Sequence, residues 1–441
     1  MFEENRPVTA KFGGSSVADA SQIRKTIAIV RSDPRRRFIV VSAPGKRNDD
    51  DKKITDLLYL CHDLHQQNLD FEEPFAIIRA RYCNIAKELG VTGTALWIEE
   101  IAAKIAAGCS KDWIASRGEY LSGRIIAAAI DADFVDPAEG ILFGPDGRLQ
   151  SAETYGRLGK RLSKVAKDRI AVIPGFYGAD AAGNIVCFSR GGSDVTGAIV
   201  ARSVNSERYE NWTDVSGMLM ADPRIVNNPK PIEIITYREQ RELSYMGASI
   251  LHDEAVFPVR EGGIPIHILN TNAPGDPGTR IVSSRDSHDT TIVGVAGRRG
   301  FVSFFTEKAM MNQELGYGRR VLEILETHGI SYEHSPTSID TLSVIIPGED
   351  IANREDEIAD EIRRTVQPDR LEIQKEMSMV AVVGQGMVHR VGVAAKVFAA
   401  LAQNGVNIRM INQGSSELNI IVGIDDRDFN KAIIAIYNAF A

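Results

Sequence analysis

The sequence predicts an α/β protein: a first domain with a mainly parallel central sheet flanked by helices, then two smaller ferredoxin-like α+β units. Three observations predict it. From residue 7 to 285, apolar β-branched runs alternate with amphipathic helical patterns, as in a parallel sheet covered by helices. The first strand runs directly into a glycine-rich turn, Lys11-Phe12-Gly13-Gly14-Ser15-Ser16-Val17. Beyond about residue 290 the texture changes to short strand and helix units that repeat.

The opening strand is Pro7-Val8-Thr9-Ala10. Gly13 and Gly14 let backbone N–H groups approach an anion without interference from Cβ. Ser15 and Ser16 are expected to cap a helix whose periodic residues are Ile23, Ile27 and Val30. With Lys11 beside it, this turn is expected to hold phosphate. It is neither a Walker A loop nor a dinucleotide fingerprint, and taken alone a Gly-Gly pair also reads as a plain turn. Further strands are expected at 38–41, 170–173, 207–212 and 264–268, with helices around 54–67, 74–89, 123–131 and 194–204.

Three more segments are expected to set charge at strand-to-helix turns, where parallel sheets bind ligands. Ser116-Arg117-Gly118-Glu119 precedes a helix over 120–131, and Ser189-Arg190-Gly191-Gly192-Ser193-Asp194 precedes one over 195–204. Trp212-Thr213-Asp214-Val215-Ser216-Gly217 leads to Ala221-Asp222-Pro223-Arg224. Arg190 offers a planar fork for a carboxylate or phosphate. Singly, Glu119, Asp194 and Arg190 also read as a helix-start carboxylate, a dipole partner and a surface ion pair. Their occurrence together in one α/β domain favours a site.

A boundary falls near 275–290, where Pro274-Gly275-Asp276-Pro277-Gly278 interrupts the pattern. After it come a strand at Val302-Ser303-Phe304-Phe305, a helix over 319–328, strands near 330–335 and 341–346, a helix over 356–366 and a strand over 370–376. The unit then repeats with a strand over 378–383, a helix over 391–404, strands over 406–411 and 418–424, and a helix over 428–439. It ends one strand short. Thr291–Ala296 is expected to supply that strand, nesting the first unit within the second. The expected domains are therefore 1–285, 300–377, and 291–297 with 378–441.

A net charge of −8 argues against nucleic acid as a partner. Arg35-Arg36-Arg37 reads as a solvated turn, and Asn48–Lys53 as a mobile polar loop. Four dispersed cysteines suggest a reducing compartment, and neither a signal peptide nor a membrane span is recognisable, so a cytoplasmic protein is expected.

The order of these motifs resembles the aspartate kinase family within the amino-acid-kinase fold. The match runs from Lys11–Val17 through Arg117–Glu119, Gly191–Asp194, Trp212–Val215 and Ala221–Arg224. It continues to Met246-Gly247-Ala248, Leu251-His252 and Asn270-Thr271-Asn272. The resemblance spans nearly the whole chain, because the family also carries two nested C-terminal ACT domains. It implies transfer of the ATP γ-phosphoryl group to the β-carboxylate of L-aspartate, giving 4-phospho-L-aspartate. That is the first step toward lysine, threonine, methionine and diaminopimelate. It implies catalytic roles for Lys11 and Asp194, and aspartate binding by Thr55, Glu119, Arg190 and Ser193. Nucleotide contacts fall to Gly13, Gly14, Ser15, Thr213, Asp214, Leu219, Arg224 and Ser249, with Mg²⁺ held by the ATP phosphates. Ser15 stands where threonine is common, Ser249 where lysine is common, and Leu219 where tyrosine is common.

The resemblance further implies a homodimer or tetramer through the ACT domains and feedback by an end-product amino acid, lysine before threonine. The effector residues would be Met311, Glu314, Gly316, Tyr317 and Gly318, facing Tyr332, His334, Thr337, Ser338 and Asp340. Two other readings remain: a kinase of the same fold acting on glutamate, acetylglutamate or a nucleotide, and an inactive amino-acid sensor on a kinase scaffold.

Overall fold

The computed structural model describes residues 6–189, 191–248, 251, 253–286 and 290–441. They form two compact units. Of these described residues, the first unit takes those within 6–218, 231–237 and 251–285, and the second those within 219–230, 238–248 and 286–441. Two stretches that the sequence reading assigns to the first domain, 219–230 and 238–248, thus pack with the second unit.

The first unit is built on an eight-stranded sheet in the order β3-β4-β2-β1-β7-β9-β10-β8. Its strands are β1 (Val8–Phe12), β2 (Arg36–Val41), β3 (Asp133–Phe134), β4 (Ala171–Pro174), β7 (Tyr209–Thr213), β8 (Ile234–Thr236), β9 (Ile266–Asn270) and β10 (Thr279–Val282). All pairings are parallel except β9 with β10. A small hairpin, β5 (Tyr177–Ala179) and β6 (Ile185–Cys187), stands apart. Strand β1 is buried along its whole length, as expected for a central strand covered on both faces. Phe12 and Trp212 stack across neighbouring strands with centroids 6.0 Å apart.

The helices of this unit are α1 (Ala20–Ser32), α2 (Ile54–Gln66), α3 (Glu72–Leu89), α4 (Thr94–Ala106), α5 (Lys111–Ile130), α6 (Ser151–Leu162), α7 (Gly192–Ser203) and α9 (Asp253–Glu261), while α8 (Tyr237–Tyr245), apart from its first residue, belongs to the second unit. Two expectations need correction here. The cap of α1 is Asp19, whose side chain accepts the Gln22 N–H at 2.9 Å, and not Ser15 or Ser16. Residues Gly14–Val17 instead form a 3₁₀ turn, and the Ser16 hydroxyl pairs with Thr271 Oγ1 at 2.7 Å. Ser116–Glu119 lies inside α5, not at a strand-to-helix turn. The helix starts earlier, capped by Ser110, and is buried almost all round. Gly118 permits this: a Cβ there would sit 2.8 Å from Ala43 Cβ.

The second unit holds a five-stranded sheet in the order β12-β11-β13-β15-β14. Its strands are β11 (Gly294–Glu307), β12 (Thr341–Pro347), β13 (Arg370–Val383), β14 (Ile408–Asn412) and β15 (Asn419–Asp425). Its helices are α10 (Tyr317–Thr327), α11 (Gly348–Ile351), α12 (Glu355–Val366), α13 (Val393–Gln403) and α14 (Phe429–Phe440). The antiparallel strands β11 and β13 are each 14 residues long and serve two cores. One core gathers Val295, Val380, Val397, Leu401, Val422 and Ile433; the other gathers Phe304, Val321, Ile324, Val344, Ile358 and Ile362. Gly300, at φ +80, and Glu376, at φ +55, interrupt the long strands without ending them. The strand expected near 330–335 is only an isolated bridge between His334 and Ile345. Among the described residues, no helix is long and apolar enough to cross a membrane.

Candidate active site

The parallel strands β1, β2, β4 and β7 bring their carboxyl ends to one edge of the first unit, and the polar groups gather there. Lys11 on β1 and Asn211 on β7 are register partners, so both side chains leave the sheet on the same side. They meet Asp194 in the first turn of α7. Lys11 Nζ is 2.5 Å from Asp194 Oδ1, and Asn211 Nδ2 donates to the same oxygen at 2.9 Å. Lys11 is only 7% exposed. The positive end of α7 steadies the carboxylate, which in turn fixes the ammonium.

Gly13 lies against that ammonium, since a Cβ on it would be 3.4 Å from Lys11 Nζ. The chain turns here by donating Gly13 N–H to Trp212 O at 3.0 Å. Gly14 and Ser15 donate to no backbone carbonyl outside their own turn among the described residues. Behind them, Gly45 N–H donates to Gly14 O at 2.9 Å, and a Cβ on Gly45 would be 2.7 Å from the Gly14 carbonyl carbon. The result is a lysine, a glycine turn and two N–H groups on one small surface, suited to phosphate oxygens.

Glu119 reaches the same region from α5 and is 6% exposed. Burial pushes its carboxyl up to about 7, against hydrogen bonding from the Ala43 and Glu119 backbone and the charge of Arg117. Its Oε2 has no hydrogen-bond partner among the described residues. Such an oxygen is poised for a cation. Arg117 faces away into an aromatic nest, 4.6 Å from the Trp113 ring centroid and 4.4 Å from that of Tyr120. Thr55 lies in the first turn of α2, next to Ile54, which packs against Gly118. Ser193 sits over the end of β4: a Cβ on Gly175 would be 2.5 Å from its hydroxyl.

Thr213 ends β7 and Asp214 follows it, with the Thr213 hydroxyl donating to Asp214 Oδ1 at 3.2 Å. Leu219 and Arg224 belong to the second unit, where Arg224 is exposed and paired with Asp222 at 2.6 Å. Arg190, Ser249 and His252 lie outside the described residues.

Three features escaped the sequence reading. Asn211 completes the hold on Asp194, but it looked like one polar residue in a strand. The turn Ala43-Pro44-Gly45 backs both Gly14 and Glu119, and its Pro-Gly pair after a strand was an available signal. Phe176, at φ +80, keeps a backbone conformation costly for an aromatic residue, wedged where a Cβ on Gly192 would meet its ring at 2.6 Å.

In the second unit, the effector candidates divide. Met311 and Tyr317 are buried in a core, and Gly316 is the left-handed cap of α10 at φ +78. Glu314 pairs with Lys308 at 2.6 Å and with Arg320. Asp340 joins this group by accepting the Met310 N–H at 2.9 Å. Gly318 is in the first turn of α10, while Thr337 and Ser338 form the turn leading to Asp340. Tyr332 and His334 lie outside that grouping: Tyr332 is half exposed and His334 Nδ1 pairs with Asn412 at 2.9 Å.

A profile of the Amino acid kinase family matches residues 7–270, and an ACT domain profile matches residues 380–440. The chain is 39% identical to aspartokinase 3 of Bacillus subtilis, covering 98% of each chain. Among solved structures, the aspartate kinase of Clostridium acetobutylicum is 48% identical, with a TM-score of 0.94 over 98% of this chain and 100% of that one. Escherichia coli aspartokinase III, in its T-state complex with lysine and aspartate, is 25% identical, with a TM-score of 0.74 over 98% and 99%.

Proposed function

The chain belongs to the amino acid kinase family, among its aspartokinases, and from that premise we propose how its residues carry out the transfer. The enzyme moves the γ-phosphoryl group of ATP to the β-carboxylate of L-aspartate, yielding 4-phospho-L-aspartate and ADP. The acceptor carboxylate is already ionised at neutral pH, so no general base is needed. Catalysis consists of aligning two anions and offsetting charge as the phosphoryl group passes between them.

One observation carries this reading: a buried carboxylate with one oxygen left unpartnered among the described residues stands at the same sheet edge as a lysine-bearing glycine turn. Glu119 would receive the α-ammonium of aspartate, and Arg190 its α-carboxylate. Thr55 and Ser193 would complete the aspartate side. Gly13, Gly14 and Ser15 would cradle the phosphates, with Lys11 following the transferring group while Asp194 and Asn211 hold it in line. Thr213, Asp214, Leu219, Arg224 and Ser249 are the proposed nucleotide contacts. An Mg²⁺ carried in on the ATP phosphates suits such a site and would neutralise part of their charge.

The catalytic domain is proposed to span 1–285, with ACT domains at 300–377 and at 291–297 with 378–441. Their proposed effector is lysine, with threonine second. The E. coli relative, crystallised with lysine, supports that order. Asp340 or Glu333 would meet the lysine side-chain ammonium, and assembly through the ACT domains would give a dimer or tetramer.

The test is ATP- and Mg²⁺-dependent acyl phosphate formation from L-aspartate, trapped with hydroxylamine, with glutamate as control and lysine or threonine titrated in. Aspartate-specific hydroxamate, suppressed by lysine, is the expected result. Folded protein that makes none would favour the sensor reading instead.

A further inference from the structure

Arg81, on α3, is 4% exposed and joins three stretches of chain that are distant in sequence. Its Nη1 donates to Ala18 O at 3.3 Å and to Gly45 O at 3.2 Å, and its Nη2 pairs with the Asp51 carboxylate. Ala18 follows the 3₁₀ turn that carries Gly14 and Ser15. Gly45 and Asp51 both lie in the segment between β2 and α2, Asp51 near its far end. Asp51 is also held by Arg47, through Nε at 2.9 Å and the backbone N–H at 3.0 Å. These cations keep the Asp51 carboxyl well below the usual carboxylate range, Arg47 contributing most. The loop read from sequence as mobile is therefore strapped down at its far end.

What the strap holds matters more than that it exists. Gly45 stands directly on Gly14, Ala43 packs against Gly118 beside Glu119, and Thr55 follows within the first turn of α2. One short segment thus borders the phosphate turn, the ammonium-binding carboxylate and a proposed aspartate contact. A planar guanidinium can serve three acceptors at fixed angles, which an ammonium on a flexible stem cannot.

We propose that the Arg81–Asp51 pair is a positioning device for phosphoryl transfer, setting the spacing between the phosphate-binding turn and the aspartate-binding groups. This rests on the aspartate kinase reading. Neither residue touches substrate; both act through Gly45 and the loop. Misplacement of about 1 Å between reacting groups can cost a hundredfold in rate. Loosening the strap therefore acts on turnover before it acts on binding.

The experiment compares wild type, Asp51→Ala, Asp51→Glu and Arg81→Lys in the hydroxamate assay, with hydrogen exchange of the 45–52 amides on the same samples. Asp51→Ala is expected to lower kcat by about 10- to 100-fold, with each KM within about threefold and faster exchange at 45–52. Asp51→Glu, which returns a carboxylate to Arg81, is expected to recover most of the rate. Arg81→Lys, which keeps the charge and loses the fork, is expected to behave like Asp51→Ala. Wild-type kcat in Asp51→Ala or Arg81→Lys overturns the proposal. So does a kcat loss that only tracks the fraction unfolded by circular dichroism at the assay temperature. A wild-type chain that phosphorylates no aspartate overturns the underlying reading instead, while the exchange measurement still reports the strap.

Discussion

The two ends of the large sheet use the same kinds of residue to opposite effect. At the amino end, Asp33, Arg35, Arg36, Glu207, Arg208 and Glu210 close on one another. Glu210 accepts from Arg36 Nε at 2.7 Å, from Arg208 Nε at 2.9 Å and from the Trp212 indole at 2.9 Å. Arg36 also lies 5.3 Å from the Trp212 ring centroid. At the carboxyl end, among the described residues, Glu119 keeps an oxygen without a partner and Gly14 and Ser15 keep their N–H groups for an anion. A ligand can enter the second arrangement without displacing a partner, whereas the first has nothing left to offer. Charge alone does not mark a site; charge left incomplete does.

The widest test of that contrast is Glu210→Ala. It removes the carboxylate shared by two guanidinium groups and an indole N–H at a position 1% exposed, leaving Arg36 without a carboxylate and Arg208 with only Asp33 and Glu207, so unfolding measurements should show a loss of about 3 kcal/mol. The kcat of the remaining folded enzyme should stay at the wild-type level. Lys11→Ala should weigh the other way, lowering kcat about 10²–10³-fold with a smaller change in aspartate KM and a smaller loss of stability than Glu210→Ala, because Asp194 keeps Asn211 and the start of α7. If Glu210→Ala lowered kcat as much as stability, the two ends would not be separable.

How much of this was legible in the sequence follows from the range of each contact. The Gly13-Gly14 turn was readable because strand, glycines and lysine are consecutive. Arg35-Arg36-Arg37 looked solvated because its partners Glu207 and Glu210 arrive from about 170 residues away. Arg81 gave no signal for the same reason: its acceptors lie 63, 36 and 30 residues off. Ser116-Arg117-Gly118-Glu119 resembled a turn because glycine and three polar residues suggest one, and only packing against Ala43 and Ile54 makes them helix interior. The long strands β11 and β13 were split at their irregular residues, since a positive-φ interruption in a strand reads locally as its end.

Glu119→Gln probes the incomplete end more gently. The neutral amide loses the attraction for an ammonium, so aspartate KM should rise about tenfold or more, the scale of a lost charged hydrogen bond. In wild type the carboxyl ionises near 7, and only the ionised form attracts the ammonium. Aspartate KM should therefore rise as pH falls below about 7, and this dependence should be missing from Glu119→Gln. Stability should move the other way. A carboxyl raised by burial favours the fold's protonated form, so wild type loses stability relative to the amide as pH rises from about 4 to 7, and the difference then levels off. A flat KM profile in wild type would remove Glu119 from aspartate binding.

The smallest effect is expected at the closed end, from Asp33→Asn. Asp33 is held by Arg35, through Nη2 at 2.8 Å and Nε at 3.0 Å, and by Arg208 at 3.0 Å. The side-chain hydrogen bonds from Arg35 do most to hold its carboxyl far below the ordinary range. A depressed carboxyl stabilises the fold above its unfolded value near 4 and loses that contribution as pH falls toward the folded value. The pair is partly exposed, so solvent screening limits the loss at pH 7 to about 1–2 kcal/mol. Denaturant curves for Asp33→Asn and wild type should thus differ at pH 7 and approach each other below about pH 4, with aspartate KM and kcat unchanged throughout. A change in aspartate KM would mean that the saturated end of the sheet communicates with the open one.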